Sequence, residues 1–179
     1  PQLGWAVGDR GSIWHTSNGG DEWTLQSSGV SCRLQSIFFI DSENGWAAGG
    51  YTEPYTHVSR GVLLRTFDGG DTWTIIRRAR IPKVRQIRFF DNRRGWAVAE
   101  ASGLFGQGLF ATEDGGRTWA PIPASGSSVW LSGSFVDPDS GVAVGRNGVV
   151  GQVHRRAVHA AQTQHFGMRS LRQVEMADL

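Results

Sequence analysis

The chain has 179 residues, a formal net charge of +2 and 39% hydrophobic residues, among them 8 Trp and 9 Phe. These apolar side chains suffice for a folded core and exclude an intrinsically disordered chain. The single cysteine excludes an intrachain disulfide framework and a cysteine-based metal site. The small net charge argues against a nucleic-acid-binding protein, and no apolar run approaches the ~18 residues that span a bilayer.

In chain order, the first unit is a repeat marked by two motifs. Gly-Trp-Ala begins at Gly4, and a variant of Thr-x-Asp-Gly-Gly-x-Thr-Trp, called the Asp-box below, follows at Thr16–Trp23. The Asp-box recurs at Thr66–Trp73 and Thr112–Trp119, and Gly-Trp-Ala recurs at Gly45, Gly95 and, weakened, Gly141. The box positions Asn18, Asp68 and Asp114 are 50 and 46 residues apart (68−18 and 114−68). Because the two motifs alternate along the chain with similar spacings, they predict a repeat architecture.

Each repeat is interpreted as four short strands. In the second copy these are Leu34–Ile40, Trp46–Gly49, Val62–Thr66 and Thr72–Ile76, separated by turn signals. The pattern predicts an all-β fold, an arc of a β-propeller built from four-stranded antiparallel blades at about 1–28, 33–78, 83–122 and 128–150. The first copy lacks its strand one. About three and a part repeats predict a fragment of a larger propeller, and an open arc also predicts self-association through exposed strand edges.

The Asp-box residues are predicted to be structural. The Asp or Asn side chain accepts hydrogen bonds that close the hairpin turn, the glycines supply positive φ, and the Trp fills the blade. The residues concerned are Asn18, Gly20, Trp23, Asp68, Gly70, Trp73, Asp114, Gly116 and Trp119.

The segment 151–179 departs from the repeat, because it has no Asp-box and no Trp. Its residues 152–166 have a composition compatible with a helix. Three interpretations remain open: a capping helix, a disordered tail, or out-of-frame coding sequence after a truncated repeat.

Two further departures are candidate partner-binding surfaces. The loop Gly50–Arg60 is longer than its counterpart and holds both tyrosines, Tyr51 and Tyr55, and a shorter insertion at Glu100–Gln107 occupies the equivalent place. Insertions at one position map to one face of a repeat protein, which is often the binding face, although a tolerated surface loop explains them equally well.

The second departure is a basic cluster around a blade connection. Its members are Arg77, Arg78, Arg80, Lys83, Arg85, Arg88, Arg93 and Arg94, with Asp91 as the single acid. The cluster fits either a cationic patch for an acidic protein, lipid headgroup or phosphate, or a solvated connector. Phe89 and Phe90 suit a buried strand face better than a platform for nucleic-acid bases.

The Gly4–Ile13 run, the Asp-box and Leu34–Asp41 together resemble the photosystem II stability and assembly factor family of BNR-type β-propellers over about residues 3–150. The resemblance implies a seven-bladed propeller exported to the thylakoid lumen, the periplasm or the cell exterior. It implies a non-catalytic chaperone that binds a protein partner, such as a subunit of a membrane complex, through an arginine-rich face. No cofactor, metal or catalytic residue is predicted.

The alternative function is a sialidase-like glycan-binding protein or glycoside hydrolase, because Asp-boxes also occur in sialidases. Such an enzyme needs a Tyr nucleophile with a carboxylate partner and clustered arginines. Tyr51, Glu53 and Tyr55 are the candidates, but their spacing within a loop fixes no geometry. The three histidines His154, His159 and His165 lack a spacing consistent with a metal site.

Overall fold

A computed structural model describes residues 2–101, 108–123, 129–154, 157–160 and 174. In these residues the strands form four antiparallel sheets, here called blades 1 to 4. Blade 1 contains β1 (Gly4–Val7), β2 (Ile13–Thr16) and β3 (Thr24–Gln26), and blade 2 contains β4 (Arg33–Phe39), β5 (Gly45–Thr52), β6 (Ser59–Thr66) and β7 (Thr74–Ile75). Blade 3 contains β8 (Val84–Phe89), β9 (Gly95–Ala99), β10 (Leu109–Thr112) and β11 (Ala120–Pro121), and blade 4 contains β12 (Trp130–Asp137), β13 (Ser140–Gly145), β14 (Val150–His154) and β15 (Ala157–Ala160).

The blades are arranged as an arc. Strand order within each blade follows chain order, and β8 packs against both β4 and β12, so the first strands lie side by side on the inner side of the arc. The predicted all-β architecture of four-stranded antiparallel blades is confirmed, and blade 1 shows three strands among the described residues, as its missing strand one predicts.

The prediction for the segment after residue 150 is wrong where the structure describes it. Instead of a helix or a disordered chain, β14 pairs with β13 and β15 pairs with β14, so blade 4 extends to Ala160. Val153 and Val158 are each 3% exposed and belong to the same core cluster as Trp130, while His154 and His159 face outward. This alternation is the strand period of two. Residues 161–173 and 175–179 lie outside the described part.

Neighbouring blades are joined by the tryptophan of Gly-Trp-Ala. Trp46 of blade 2 stacks on Phe89 of blade 3 with ring centroids 3.9 Å apart, and its indole N–H donates to the Gly115 carbonyl at 3.0 Å. Trp5 makes the same two contacts in blade 2, with Phe39 and the Gly69 carbonyl. With Trp96 on Phe135 of blade 4, blades 1, 2 and 3 each stack their Gly-Trp-Ala tryptophan on a phenylalanine of the next blade's first strand.

The long loop after Gly50 is mostly hairpin. Strands β5 and β6 stay paired out to Thr52 and Ser59, which leaves a connection of residues 53–58. Of the second insertion, residues 102–107 lie outside the described part.

Candidate functional site

The Asp-box carboxylates are occupied by their own turns. In blade 2, Asp68 Oδ1 accepts the Thr66 hydroxyl at 2.7 Å and the Thr72 backbone N–H at 2.9 Å. Asp114 in blade 3 accepts the equivalent groups at 2.9 and 2.8 Å, and the Asn18 side-chain oxygen does so in blade 1 at 2.9 and 3.0 Å. A side chain saturated in this way closes a turn and is poorly placed to act on a ligand.

The electrostatics of Asp68 fit the same role. Hydrogen bonds from the Thr66 and Thr72 hydroxyls, with the Thr72 N–H, lower the pKa of this carboxyl to about 2. The glycines of the box have φ of +71° at Gly69 and +96° at Gly70, which a side chain would strain. The box thus identifies the blade and leaves the functional surface to be sought elsewhere.

The basic cluster is divided by the fold. Arg77 and Arg78 line a groove between blades 2 and 3. Lys83 and Arg85 lie 3.5 and 3.4 Å from the Glu100 carboxylate. Arg88 lies with Arg85 at the inner side of the arc. Arg80 is exposed on the connection between blades. Basic residues that are neighbours in sequence therefore lie on different surfaces of the fold.

Two more arginines of the cluster are engaged locally. Arg94 pairs with Asp91 at 2.7 Å, and Arg93 donates to the Glu113 carbonyl at 3.2 Å. These contacts stabilise the turn between β8 and β9 rather than present free charge.

The groove between blades 2 and 3, called the arginine groove below, has a volume of about 290 Å³. It is lined by Arg65, Phe67, Thr74, Ile75, Ile76, Arg77, Arg78, Gly115 and Arg117, with no aspartate or glutamate among them. Four guanidinium groups around an apolar floor suit an anionic group attached to an apolar body.

Arg65 lines the arginine groove and is a buried charge without an ion-pair partner among the described residues. It is 8% exposed, its Nη2 donates to Asn92 at 2.9 Å, and it forms no ion pair with any described carboxylate. Its Nε, within the same part of the chain, has no hydrogen-bond partner. Burial is the larger cause and the like charge of Arg117 the smaller cause of a lowered pKa of this guanidinium. Because both effects disfavour the charged form of Arg65, an anion beside it would offset them.

Aromatic rings hold Arg65 in place. Its guanidinium carbon lies 4.6 Å from the centre of the Trp46 ring and 4.2 Å from that of Phe67. Both contacts are cation–π interactions. A Cβ at Gly115 would clash with Arg65 Nη1, so the Asp-box glycine of blade 3 also makes room for this charge.

A second cavity, of about 600 Å³, lies between the first strands on the inner side of the arc. Arg85, Arg88 and Gln86 line it together with Gln35 and the strand segment 131–134. The Gln86 amide is already used, because it donates to the Gly133 carbonyl at 2.9 Å and accepts the Gly133 N–H at 3.1 Å. This cavity is polar and lies apart from the arginine groove.

Tyr51, Tyr55 and Glu53 do not line one common cavity among those of the described residues. Tyr51 lines a third cavity with Cys32 and Val62, whereas Tyr55 is 96% exposed and is not among its lining residues. The Glu53 carboxylate accepts the Thr56 hydroxyl at 2.5 Å and Arg60 Nε at 2.8 Å, and these bonds lower its pKa. The Glu53 carboxylate is thus engaged by its own loop, and Glu53 does not line the cavity that Tyr51 lines.

Three residues of the arginine groove were missed by sequence reasoning: Arg65, Phe67 and Arg117. Arg65 and Arg117 lie outside the basic cluster, one in β6 and one within the third Asp-box. The available signal for Arg65 was a charged residue directly before the Asp-box threonine, in a strand whose neighbouring residues Leu64 and Thr66 are both buried. In the described residues no group of three His, Cys, Asp or Glu is arranged to hold a metal ion.

No helix in the described part of the chain has the length and hydropathy to cross a membrane. A scan against models of protein families gives no match, and a search of curated proteins gives none either.

Solved structures do match. YCF48 bound to D1 peptide superposes with a TM-score of 0.64 at 22% identity, over 98% of this chain and 54% of that chain. YCF48 from Cyanidioschyzon merolae gives 0.62 at 18% identity, over 97% and 60%. An ancestral GH74 enzyme gives 0.68 at 14% identity, over 94% and 25%. At these identities the likeness shows the β-propeller fold alone, and the chain spans about half the length of the YCF48 structures.

Proposed function

We propose that this chain is a non-catalytic β-propeller scaffold that binds an acidic segment of a protein partner in the arginine groove. The observation that carries the proposal is Arg65, a guanidinium that is 8% exposed and has no carboxylate partner among the described residues. It lies beside Arg77, Arg78 and Arg117 in one groove.

The groove's chemistry favours a carboxylate next to an apolar side chain. Guanidinium groups bind carboxylates through paired N–H donors. Phe67 is 57% exposed and Ile76 lies beside it, so an apolar residue of the ligand can pack there. An extended peptide with Asp or Glu beside Leu, Ile or Phe, or a free C-terminal carboxylate, combines both features.

Two further points support a protein ligand. YCF48, a neighbour in fold, has been solved bound to D1 peptide. The sequence also resembles the photosystem II assembly factor family, which implies a membrane-complex subunit as partner and export to the thylakoid lumen or periplasm. Tyr51 and Tyr55 lie outside the arginine groove and belong to the proposal only as a second contact region.

The test is peptide binding by the full chain. Fluorescein-labelled peptides of alternating Glu and Leu, and a matched peptide of alternating Lys and Leu, are titrated in fluorescence anisotropy. We expect the Glu peptide to bind more tightly, with an affinity that falls as salt rises. The double variant Arg77→Ser/Arg78→Ser should weaken it at least about tenfold, or about 1.4 kcal/mol.

The matched control is Arg33→Ser/Arg146→Ser, which removes the same charge at exposed positions outside the groove. It should bind like the unaltered chain. Equal affinity of the two peptides, or equal losses in the two double variants, would show that the groove does not select an anionic peptide.

A glycan-active function is the second candidate, favoured by the GH74 enzyme among the structural neighbours. Hydrolysis of fluorogenic sialosides and p-nitrophenyl glycosides tests it. Turnover that is lost in Tyr51→Phe or Tyr55→Phe would replace the scaffold with an enzyme.

A further inference from the structure

The residue before the Asp-box threonine lies against the Gly-Trp-Ala tryptophan of its own blade, and its charge differs from blade to blade. In blade 2 the Arg65 guanidinium carbon lies 4.6 Å from the centre of the Trp46 ring. In blade 1 the His15 ring stacks on Trp5 with ring centroids 5.0 Å apart. The equivalent residue of blade 3 is Ala111. Among these three positions only Arg65 carries a permanent charge.

The turn between the first two strands of a blade lies beside the Asp-box of the same blade. In blade 3, a Cβ at Gly115 would lie 2.8 Å from the Asn92 carbonyl oxygen. In blade 2, a Cβ at Gly69 would lie 3.0 Å from the Ser42 carbonyl oxygen, so Asn92 and Ser42 hold equivalent places. The Asn92 side-chain oxygen accepts a hydrogen bond from Arg65 Nη2 at 2.9 Å, a contact with no counterpart at Ser42 among the described residues.

The carboxylate next to Asn92 is occupied by its own turn. Asp91 Oδ1 accepts the backbone N–H groups of Arg93 and Arg94 at 2.7 and 2.6 Å. Its Oδ2 pairs with Arg94 Nε at 2.7 Å. These bonds fix the backbone from which Asn92 reaches across to blade 2. The blade 3 side chain that hydrogen-bonds Arg65 is therefore a neutral amide.

A neutral acceptor holds a guanidinium without cancelling its charge. The Trp46 and Phe67 rings lie over Arg65, and the Asn92 amide fixes one of its terminal nitrogens. Arg65 lines the arginine groove, so its charge remains for a ligand there. A carboxylate in place of the amide would be a tethered competitor, and groups tethered over short distances act at effective concentrations of about millimolar.

We propose that Asn92 makes the arginine groove selective for an ionised carboxylate over a neutral amide, because it positions Arg65 without neutralising it. The inference rests on the proposed function of the groove and adds the residue that sets its charge selectivity. Asn92 is a positioning residue that acts through Arg65, since it is not among the residues that line the groove.

The first experiment compares two fluorescein-labelled peptides, one of alternating Glu and Leu and one of alternating Gln and Leu, by fluorescence anisotropy with the full chain. We expect the unaltered chain to bind the Glu peptide more tightly. Asn92→Asp should lower the ratio of the two affinities at least about fivefold, or about 1 kcal/mol, because it supplies an internal carboxylate to Arg65.

The matched control is Ser42→Asp, which adds the same charge at the equivalent turn of blade 2, outside the groove. At pH 8, where histidine side chains are neutral, it should keep the ratio of the unaltered chain. An unchanged ratio in Asn92→Asp, or equal losses in both variants, would overturn the inference alone. If the unaltered chain does not prefer the Glu peptide, the proposed function fails and the selectivity fails with it.

A double-mutant cycle tests whether Asn92 acts through Arg65. In a chain that carries Arg65→Met, Asn92→Asp should change the ratio of affinities by less than about twofold, because uncoupled changes add within a few tenths of a kcal/mol. A loss of the same size in both backgrounds would show that the new charge acts directly on the peptide, which contradicts a positioning role.

Stability gives a readout that needs no ligand. Asn92→Asp should raise the midpoint of thermal unfolding by roughly 2–4 °C, because a buried guanidinium gains an ion-pair partner. The rise should disappear in the chain that carries Arg65→Met, and Ser42→Asp should not produce it. A midpoint that stays level or falls in Asn92→Asp would contradict the inference whatever the arginine groove binds.

Discussion

The interface between blades 2 and 3 and the inner edge of blade 1 are built from the same motif and differ in completeness. Trp46 is fully buried between the Phe89 ring and the Gly115 carbonyl, whereas its blade 1 counterpart Trp5 is partly exposed. The Asp-box tryptophan of blade 1, Trp23, is 43% exposed, and among the described atoms no phenylalanine lies over Gly4. The Asp-box turn nevertheless has the same hydrogen bonds in both blades. The Asp-box turn is therefore formed by residues close in sequence. Burial of the tryptophans depends instead on a first strand, in the same blade or in the next one.

The largest effect is expected from Trp46→Ala. It removes a stacked ring, an indole hydrogen bond and the floor under Arg65, so it should cost about 3–5 kcal/mol of unfolding free energy. Trp5→Ala at the interface of blades 1 and 2 should cost clearly less, since Trp5 is partly exposed. Urea unfolding followed by far-UV circular dichroism measures both, and equal losses would refute the contrast between the two interfaces.

A smaller effect separates two equivalent glycines. Gly45→Ala pushes a methyl group into the Phe39 ring and should destabilise by about 1–3 kcal/mol. Gly4→Ala meets only Thr16 Cγ2 and the Trp23 edge among the described atoms, so the midpoint of thermal unfolding should hardly change. A loss at Gly4 as large as the loss at Gly45 would contradict this contrast between the two glycines.

Arg65→Met tests the unbalanced charge at the complete interface. The methionine keeps much of the volume over Trp46 and removes a buried guanidinium, so stability should stay level or rise by about 1 kcal/mol. The Glu–Leu peptide should bind at least about tenfold more weakly. Arg94→Met removes an exposed pair with Asp91 and should leave peptide binding unchanged. Weaker binding in both variants would point to net charge instead of the groove.

The smallest effect concerns acid stability of the second Asp-box. The folded pKa of Asp68, about 2, lies below its ordinary value of 3.8, so its contribution is present above about pH 4 and is lost as the pH falls toward 2. Asp68→Asn, which reproduces Asn18, should flatten this part of the pH–stability curve. Solvent screening keeps the difference under about 1 kcal/mol. Parallel curves from pH 5 to 2 would contradict the assignment.

Local patterns account for what was predictable. The Asp-box turns around Asp68 and Asp114, and the strands around Trp46 and Trp96, follow from residues adjacent in sequence. The strand β15 was missed because blade 4 lacks the box that marks its hairpin, although Val158 and His159 alternate as a strand does. The division of the basic cluster between two cavities could not be predicted, because proximity in sequence says little about which side of a blade a residue reaches.

The sequence by itself determined the repeat, the all-β blades and the turn role of the Asp-box, because each depends on contacts within a few residues. Only the tertiary structure decided that Arg77 and Arg78 meet Arg65 and Arg117 in one groove, and that Arg85 and Arg88 lie elsewhere. These features depend on how one blade packs against the next, and such long-range packing cannot be deduced from the sequence of a single repeat.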